Sequence, residues 1–421
     1  MRTLIVSDLH LGSASRTDLL SRPHVRARLL EAASVADRVV LLGDTLELRH
    51  GPPRDALAVA RPFFEQLGSA LTDAEIVVVA GNHDHALISP WLMHRSEDAR
   101  PVPLGLENIV AAADASPMLA HLAEAAAPAR VVSAYPGLWL RDNVYATHGH
   151  YLDCHLTLPT LERLSVGVMA RLLGRPAGEF AAADDYEAVT APLYAWRQAV
   201  AQSARTGNVL NGTATVEAWH ALRRSRPTQP RSPASANGAG PAGSAFSRAR
   251  RALRRRAIVA GFPIAVAALN RAGVGPLRAE VSASELRRAG LRAMADVSRR
   301  LGLDGSYVIF GHTHRAGPLP GDEDPQWARL GDAEPVAPRL GDAGADAEHL
   351  GEAQAVAEPA ARLVNAGCWT YDSAFLTARP GESPYWPGTC VVVEDAGAPV
   401  IERLLLDRTH EQLRGMAEPA S

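Results

Sequence analysis

Residues 76–85 read Ile-Val-Val-Val-Ala-Gly-Asn-His-Asp-His: an apolar, β-branched run that stops abruptly in polar side chains. Such a run is expected to be a buried strand that delivers Asn82, His83 and Asp84 to one edge of a sheet. Gly81 permits the sharp turn. Asn82 offers a carbonyl oxygen to a cation and His83 a titratable nitrogen. Asp84 offers a carboxylate able to orient that imidazole.

Working outward, the same grammar recurs. Residues 3–12 (Thr-Leu-Ile-Val-Ser-Asp-Leu-His-Leu-Gly) read as a strand ending in Asp8 and His10, whose spacing by two would put both side chains on one face. Residues 38–42 form a second apolar strand ending at Gly43-Asp44. Helices are expected over 25–36 and 56–70. Three strand–helix units therefore unload polar groups at the carboxyl ends of strands, where open α/β sheets bind ligands. Farther on, strands at 131–135 and 143–146 lead to Thr147-His148-Gly149-His150, and Tyr307-Val308-Ile309-Phe310 leads to Gly311-His312-Thr313-His314. Strands at 362–365, 389–394 and 400–406 complete the sheet. The Ala-rich stretch 86–130 reads as helical.

Composition narrows the classes. A chain of 421 residues is long enough for one large α/β domain with insertions, or for two domains. A net charge of -3 gives no whole-chain case for nucleic acid. All 43 basic residues are Arg, which with the abundant Ala reads as a G+C-rich bacterial coding sequence. Cys154, Cys368 and Cys390 lie far apart, as suits a reducing cytosol. The longest apolar stretch, 257–270, contains Pro263 and falls short of the roughly 20 residues a membrane span needs, so a soluble chain is expected.

The blocks Asp8-x-His10, Gly43-Asp44, Gly81-Asn82-His83-Asp84, His148-Gly149-His150 and Gly311-His312-x-His314, in that order, resemble the pattern of the calcineurin-like metallophosphoesterase superfamily. The resemblance implies an α/β fold: a two-layer mixed β-sandwich flanked by helices. Here it would carry a long helical insertion and two flexible loops. It implies that Asp8, His10, Asp44 and His314 hold one metal and that Asp44, Asn82, His148 and His312 hold a second, Asp44 being shared. The implied activity is hydrolysis of a phosphomonoester, phosphodiester or pyrophosphate bond by a hydroxide bridging the metals. His83, oriented by Asp84, would be the general acid. Independently of the resemblance, mixed nitrogen and oxygen ligands suit Mn, Fe or Zn better than Ca or Mg. Manganese is the expected ion, with Fe or Zn as alternatives. Seven ligands exceed one shell, and two ions about 3.5–4 Å apart could share a carboxylate. Taken singly, Asp8 and Asp44 would read as helix caps and the histidines as ordinary loop residues. Together, five such blocks at strand ends read as a dinuclear site.

Weaker signals surround these. His150 or His155, flanking Asp153, could touch substrate or a metal ligand. Arg141 and Arg315 sit beside strand ends but read as solvated, Glu47 as a local hydrogen-bond partner, and Cys368 in Asn365-x-Gly367-Cys368-Trp369 as packing. The expected organisation is a core at 1–155 and 305–408, a helical cap at 156–304 and a tail at 409–421. Within the cap, 223–256 carries ten Arg and no acid. A second insertion at 321–361 is acidic and holds three copies of a Leu-Gly-Asp/Glu-Ala motif ten residues apart. Both read as flexible loops. A cytoplasmic protein is expected; the Arg-to-apolar junction at 248–270 could lie at an anionic membrane surface on the inner face, or the Arg run could be solvated or meet the acidic second insertion. The chief rival from another class is a non-catalytic metal-binding scaffold for protein interaction. A lipid-linked nucleotide pyrophosphohydrolase is the rival enzyme, although its pattern has Arg where this chain has His83. Nucleic acid is not an expected partner, since no basic stripe follows the strand ends.

Overall fold

The computed structural model describes residues 1–71, 74–97, 100–203, 265–278, 283–328, 360–373, 376–377 and 379–415. Eleven strands form one hydrogen-bonded sheet: β1 (Thr3–Val6), β2 (Arg38–Leu42), β3 (Glu75–Val79), β4 (Glu107–Ala111), β5 (Arg130–Arg141), β6 (Val144–Thr147), β7 (Tyr307–Phe310), β8 (Ala316–Gly317), β9 (Arg362–Ala366), β10 (Thr389–Val393) and β11 (Val400–Arg403). Their order is β11-β10-β1-β2-β3-β5-β6-β7-β9-β8, with β4 on β5. The sheet is mixed. β1, β2, β3 and the first half of β5 run parallel, as do β6, β7 and β9, while β5 and β6 form an antiparallel pair. The twelve-residue β5 joins the two parallel groups, pairing with β3 near its start and with β6 near its end.

Burial on both faces explains the apolar runs. Leu4, Val6, Val39, Leu41, Ile76, Val78, Val308 and Phe310 pack with the helices in one core. The alternating residues Ile5, Val40, Leu42, Val77, Val79, Tyr307 and Ile309 meet in a second core built from strands of both parallel groups, with no helical residue in it. Parallel strands covered on both sides need continuous Val/Ile/Leu text rather than alternation. Helices Pro23–Ala33 and Pro53–Ala70 connect the first three strands, each with proline in its first turn, where a missing N–H costs nothing.

Two expectations need correction. β1 ends at Val6, so Asp8 and His10 do not converge through strand alternation; both adopt left-handed backbone. The stretch 86–130 is not uniformly helical, because β4 adds an edge strand on β5. Its apolar text, Ile109-Val110-Ala111, runs straight on into Ala112 and Ala113 and so blends with the Ala-rich stretch. In the expected cap, helices Leu161–Leu172, Ala183–Ser203 and Ala283–Arg300 are present, and 265–271 is helical. The Arg-rich loop 223–256, the basic part of 248–270 and most of the acidic loop 321–361 lie outside the described residues. No helix among the described residues is long and apolar enough to cross a membrane.

Candidate metal centre

The five sequence blocks meet at the carboxyl ends of β1, β2, β3, β6 and β7. Three overlapping groups have ligand atoms within 4.8 Å of one another: Asp8, His10 and His314; His10, Asp44 and His83; and Asp44, His148 and His312. Around the first, His314 Nε2 lies 3.2 Å from Asp8 Oδ1 and 3.2 Å from His10 Nε2, which is 3.7 Å from Asp44 Oδ2. Around the third, His148 Nε2 lies 3.3 Å from Asp44 Oδ2, and the Asn82 amide is 3.1 Å from both His148 Nε2 and His312 Nδ1. Asp44 belongs to both sets.

The backbone marks the same residues. Six non-glycine residues among those described have positive φ, and five are Asp8, His10, Asp44, His312 and His314. Left-handed backbone at such residues costs about 1–3 kcal/mol each and persists where surrounding structure imposes it for a purpose. Glycines make room beside them. A Cβ on Gly43 would lie 2.3 Å from the His148 ring, and one on Gly311 would lie 1.9 Å from Ser7 Oγ.

Each imidazole has one nitrogen tied outward, leaving the other to face the centre. His10 Nδ1 donates to Glu47 Oε2 at 3.1 Å, and His148 Nδ1 donates to the Leu42 carbonyl at 3.0 Å. His312 Nε2 donates to Asp153 Oδ2 at 3.1 Å, and His314 Nδ1 donates to Thr370 Oγ1 at 3.3 Å. An outward N–H fixes the tautomer and leaves a lone pair inward, as in metal-ligating histidines. The inward face then gathers ring nitrogens around the Asp8 and Asp44 carboxylates. Asp8 Oδ1 is buried without a hydrogen-bond partner. The Asn82 amide fits in either sense. With nitrogen inward it donates to His148, His312 and Asp44, and its oxygen accepts from Arg49. With oxygen inward it meets lone pairs only, which a cation balances. The donor set fits two divalent metals.

Electrostatics agree. Burial would raise the Asp8 and Asp44 carboxyls, but the facing histidine charges outweigh it. They hold Asp8 at about 2 and Asp44 well below its ordinary value. Burial likewise opposes charge on His148, yet Asp44 and Asp8 lift it to about 9, and Asp8 raises His314 well above its usual range. The carboxylates draw protons onto these rings, and divalent cations would answer the same demand.

His83 stands apart. Its Nδ1 lies 2.8 Å from Glu47 Oε2, its ring packs edge-on against His10 at 4.6 Å, and it lines a cleft that opens on the site. Burial and the Arg49 charge push its pKa down to about 4, against the opposing pull of Glu47 and Asp44. The expected orienting role of Asp84 is not what the geometry shows. The Asp84 carboxylate accepts the backbone N–H groups of Gly81, Thr45, Leu46 and Asp44 at 2.7–3.2 Å, stitching the loop after β2 to the loop after β3. Glu47 holds His83 instead.

Other expectations sort as follows. Asp153 hydrogen-bonds the candidate ligand His312, and the His150 ring lies against that of His148 with centroids 5.6 Å apart. His155 bonds Tyr186 and pairs with Asp296 within the helical region. Arg315 is buried rather than solvated, pairing with Asp322 at 2.5 Å over the Trp327 ring. Arg141 bonds the carbonyls of Glu394 and Gly397. Cys368 is buried, as packing predicts, and Asn365 ties down Gly311 and Thr313. Sequence reasoning missed Arg49, which bonds the Asn82 carbonyl, and a buried hub around Glu187. The Glu187 carboxylate accepts from Tyr135 Oη at 2.5 Å, Tyr151 Oη at 2.8 Å and His85 Nε2 at 3.1 Å. It thereby ties helix Ala183–Ser203 to the Asn82–His85 loop.

Residues 1–169 match the family model for calcineurin-like phosphoesterases. Over that part the chain is similar to calcineurin-like phosphoesterases. No curated protein matches it. The match covers Asp8, His10, Asp44, Asn82, His83 and His148 and stops short of His312 and His314, which the fold returns to the same centre.

Proposed function

We propose that this protein is a dinuclear metal-dependent phosphoesterase hydrolysing a phosphomonoester, phosphodiester or pyrophosphate bond. The observation that carries the reading is the inward convergence of four imidazole nitrogens on Asp8, Asp44 and Asn82, each ring held by an outward partner. Asp8, His10, Asp44 and His314 would hold one ion, and Asp44, Asn82, His148 and His312 the other, with manganese as the leading candidate. Two such ions supply water activation near neutral pH and neutralise charge growing on the phosphoryl oxygens.

His83 is assigned as the general acid. Glu47 holds its Nδ1, leaving Nε2 to give a proton to the departing oxygen. With a pKa of about 4 the free ring is neutral near pH 7, so the negative charge of a bound ester has to raise it. Overall, water oxygen bonds phosphorus and the ester P–O bond breaks. The leaving oxygen takes the His83 proton, and water's remaining proton restores the ring. The helix-free second core supports a sheet folded over itself as two layers, with the helices between 156 and 304 as a cap. Peripheral contact of 248–270 with anionic lipid is carried by sequence alone; liposome co-sedimentation unchanged by neutralising Arg250–Arg256 would retire it.

The test is turnover of a chromogenic phosphomonoester and phosphodiester with and without Mn²⁺. His83→Ala should lower kcat by about 100-fold or more with metal content intact. No turnover of either ester by protein carrying two metals would favour a non-catalytic scaffold. Loss of metals in His83→Ala would contradict its role as acid.

A further inference from the structure

The cleft that His83 lines extends beyond the metal centre. It encloses about 310 Å³ and is walled by Leu152, Leu156, Leu291, Phe310 and Trp327. That volume lies at the lower end of the about 300–1,000 Å³ typical of small-molecule sites, and predominantly apolar walls with a few convergent polar groups are their usual make-up. Asp44, Asn82, His312 and His314 line it as well, so the space continues directly from the reacting centre, with Asp153, Thr160 and Glu162 among the further polar groups on its walls. Phosphate ester chemistry requires no apolar wall.

Gly290 points the same way independently. It sits inside helix Ala283–Arg300, where glycine is unfavourable relative to alanine. Protein packing does not require it, since a Cβ there would meet only Thr313 Cγ2, at an ordinary 3.4 Å. What its bareness does is widen the cleft that it lines. Arg287, one turn earlier on the cleft wall, makes no ion pair or hydrogen bond among the described residues. An anionic ester entering the cleft would meet this guanidinium.

We infer that the substrate is a phosphoester bearing a short apolar substituent, which fills the space between Gly290, Leu291, Leu152 and Trp327 while the phosphoryl group lies at the metal centre. This deepens the phosphoesterase reading and rests on it. The class excludes small polar esters, which would leave the cleft wetted, and paired long acyl chains, which would not fit.

The experiment uses the full-length protein loaded with Mn²⁺ and two homologous sets, methyl to hexyl: alkyl 4-nitrophenyl phosphates and alkyl monophosphates. Within each set the leaving-group chemistry stays nearly constant while apolar bulk grows. Each methylene that enters the cleft should raise kcat/KM by up to about fourfold, so methyl to hexyl should gain about tenfold or more in whichever set is turned over. Gly290→Leu should reduce that gain to less than about threefold with bound manganese unchanged, because its side chain would occupy the same space. As a measurement needing no variant, hexylphosphonate should inhibit the wild-type protein about tenfold more tightly than methylphosphonate. A flat series and equal inhibition in an active protein overturn the inference and leave the phosphoesterase reading standing. Absence of turnover in both sets with two manganese ions bound overturns that reading and this inference with it.

Discussion

Glu47→Gln is the most informative single change. Glu47 Oε2 accepts from His10 Nδ1 at 3.1 Å and His83 Nδ1 at 2.8 Å, while Oε1 accepts the Arg49 backbone N–H at 2.9 Å. Although burial alone would raise its carboxyl, the charges and hydrogen bonds of His83 and His10 hold it well below the usual range, so it is ionised. A glutamine of the same shape has one oxygen. If that oxygen stays on Arg49, the amide nitrogen faces both rings, two bonds to a charged acceptor are lost, and a loss of about 1.5–3 kcal/mol accompanies each. Both rings would then need the other tautomer, placing a proton on His10 Nε2 where the lone pair faces Asp8 and His314. If the amide turns round, the rings keep a neutral acceptor and the Arg49 N–H is orphaned at about 1–3 kcal/mol. Either way the variant should fold and weaken metal binding by about 10–100-fold, as loss of a ligand's outer partner does. It should also lower kcat beyond the metal effect, because His83 loses its anchor. Competition with a chelator of known affinity measures the first effect, and rates at saturating Mn²⁺ measure the second. Wild-type metal affinity and wild-type kcat together would refute the claim that Glu47 sets the two rings.

Three further outcomes follow from other parts of the fold. Asp84→Asn puts a donor against two of the four N–H groups that its carboxylate accepts. At about 1–3 kcal/mol for each orphaned group, denaturant unfolding should show a loss of about 2–6 kcal/mol, and an unchanged midpoint would contradict the stitching role. Burial would raise Glu187, but His85, Tyr135 and Tyr151 outweigh it and hold its pKa below the ordinary 4.5. A depressed folded-state pKa contributes stability that is present above 4.5 and lost as pH falls through the folded value. The stability gap between wild type and Glu187→Gln should therefore shrink as pH drops from neutrality to below 4.5, and a gap independent of pH would count against an ionised hub. Gly290→Ala should stabilise helix Ala283–Arg300 by about 0.5–1 kcal/mol, read as a raised Tm, and destabilisation would show that packing needs the glycine.

The candidate ligands were legible because each closes an apolar run, and buried parallel strands leave their side-chain chemistry only at their ends. The reason they converge was not legible. Spacing by two on a strand suggested it for Asp8 and His10, whereas left-handed turns achieve it, and φ carries no mark in composition. Outer partners such as Glu47, Asp153 and Thr370 are lone polar residues with no periodicity, and their meaning depends on which ring folds against them. Asp84 misled for a related reason: a carboxylate next to a histidine invites pairing, but its four backbone bonds come from chain segments that sequence does not place together. β4 stayed hidden because its short run Ile109-Val110-Ala111 merges with the alanines that follow and reads as helix.

The contact between His10 and His314 spans 304 residues of chain. Ions bound there would act as a cross-link between the first strand and the last of the motif-bearing ones, closing a loop that covers most of the polypeptide. Neither of the two proposed shells could be completed by residues 1–169 alone, since each would need a histidine from beyond Phe310. A fragment ending at residue 169 would thus be an incomplete chelator, and saturating metal should protect the whole chain against unfolding while leaving such a fragment almost unaided.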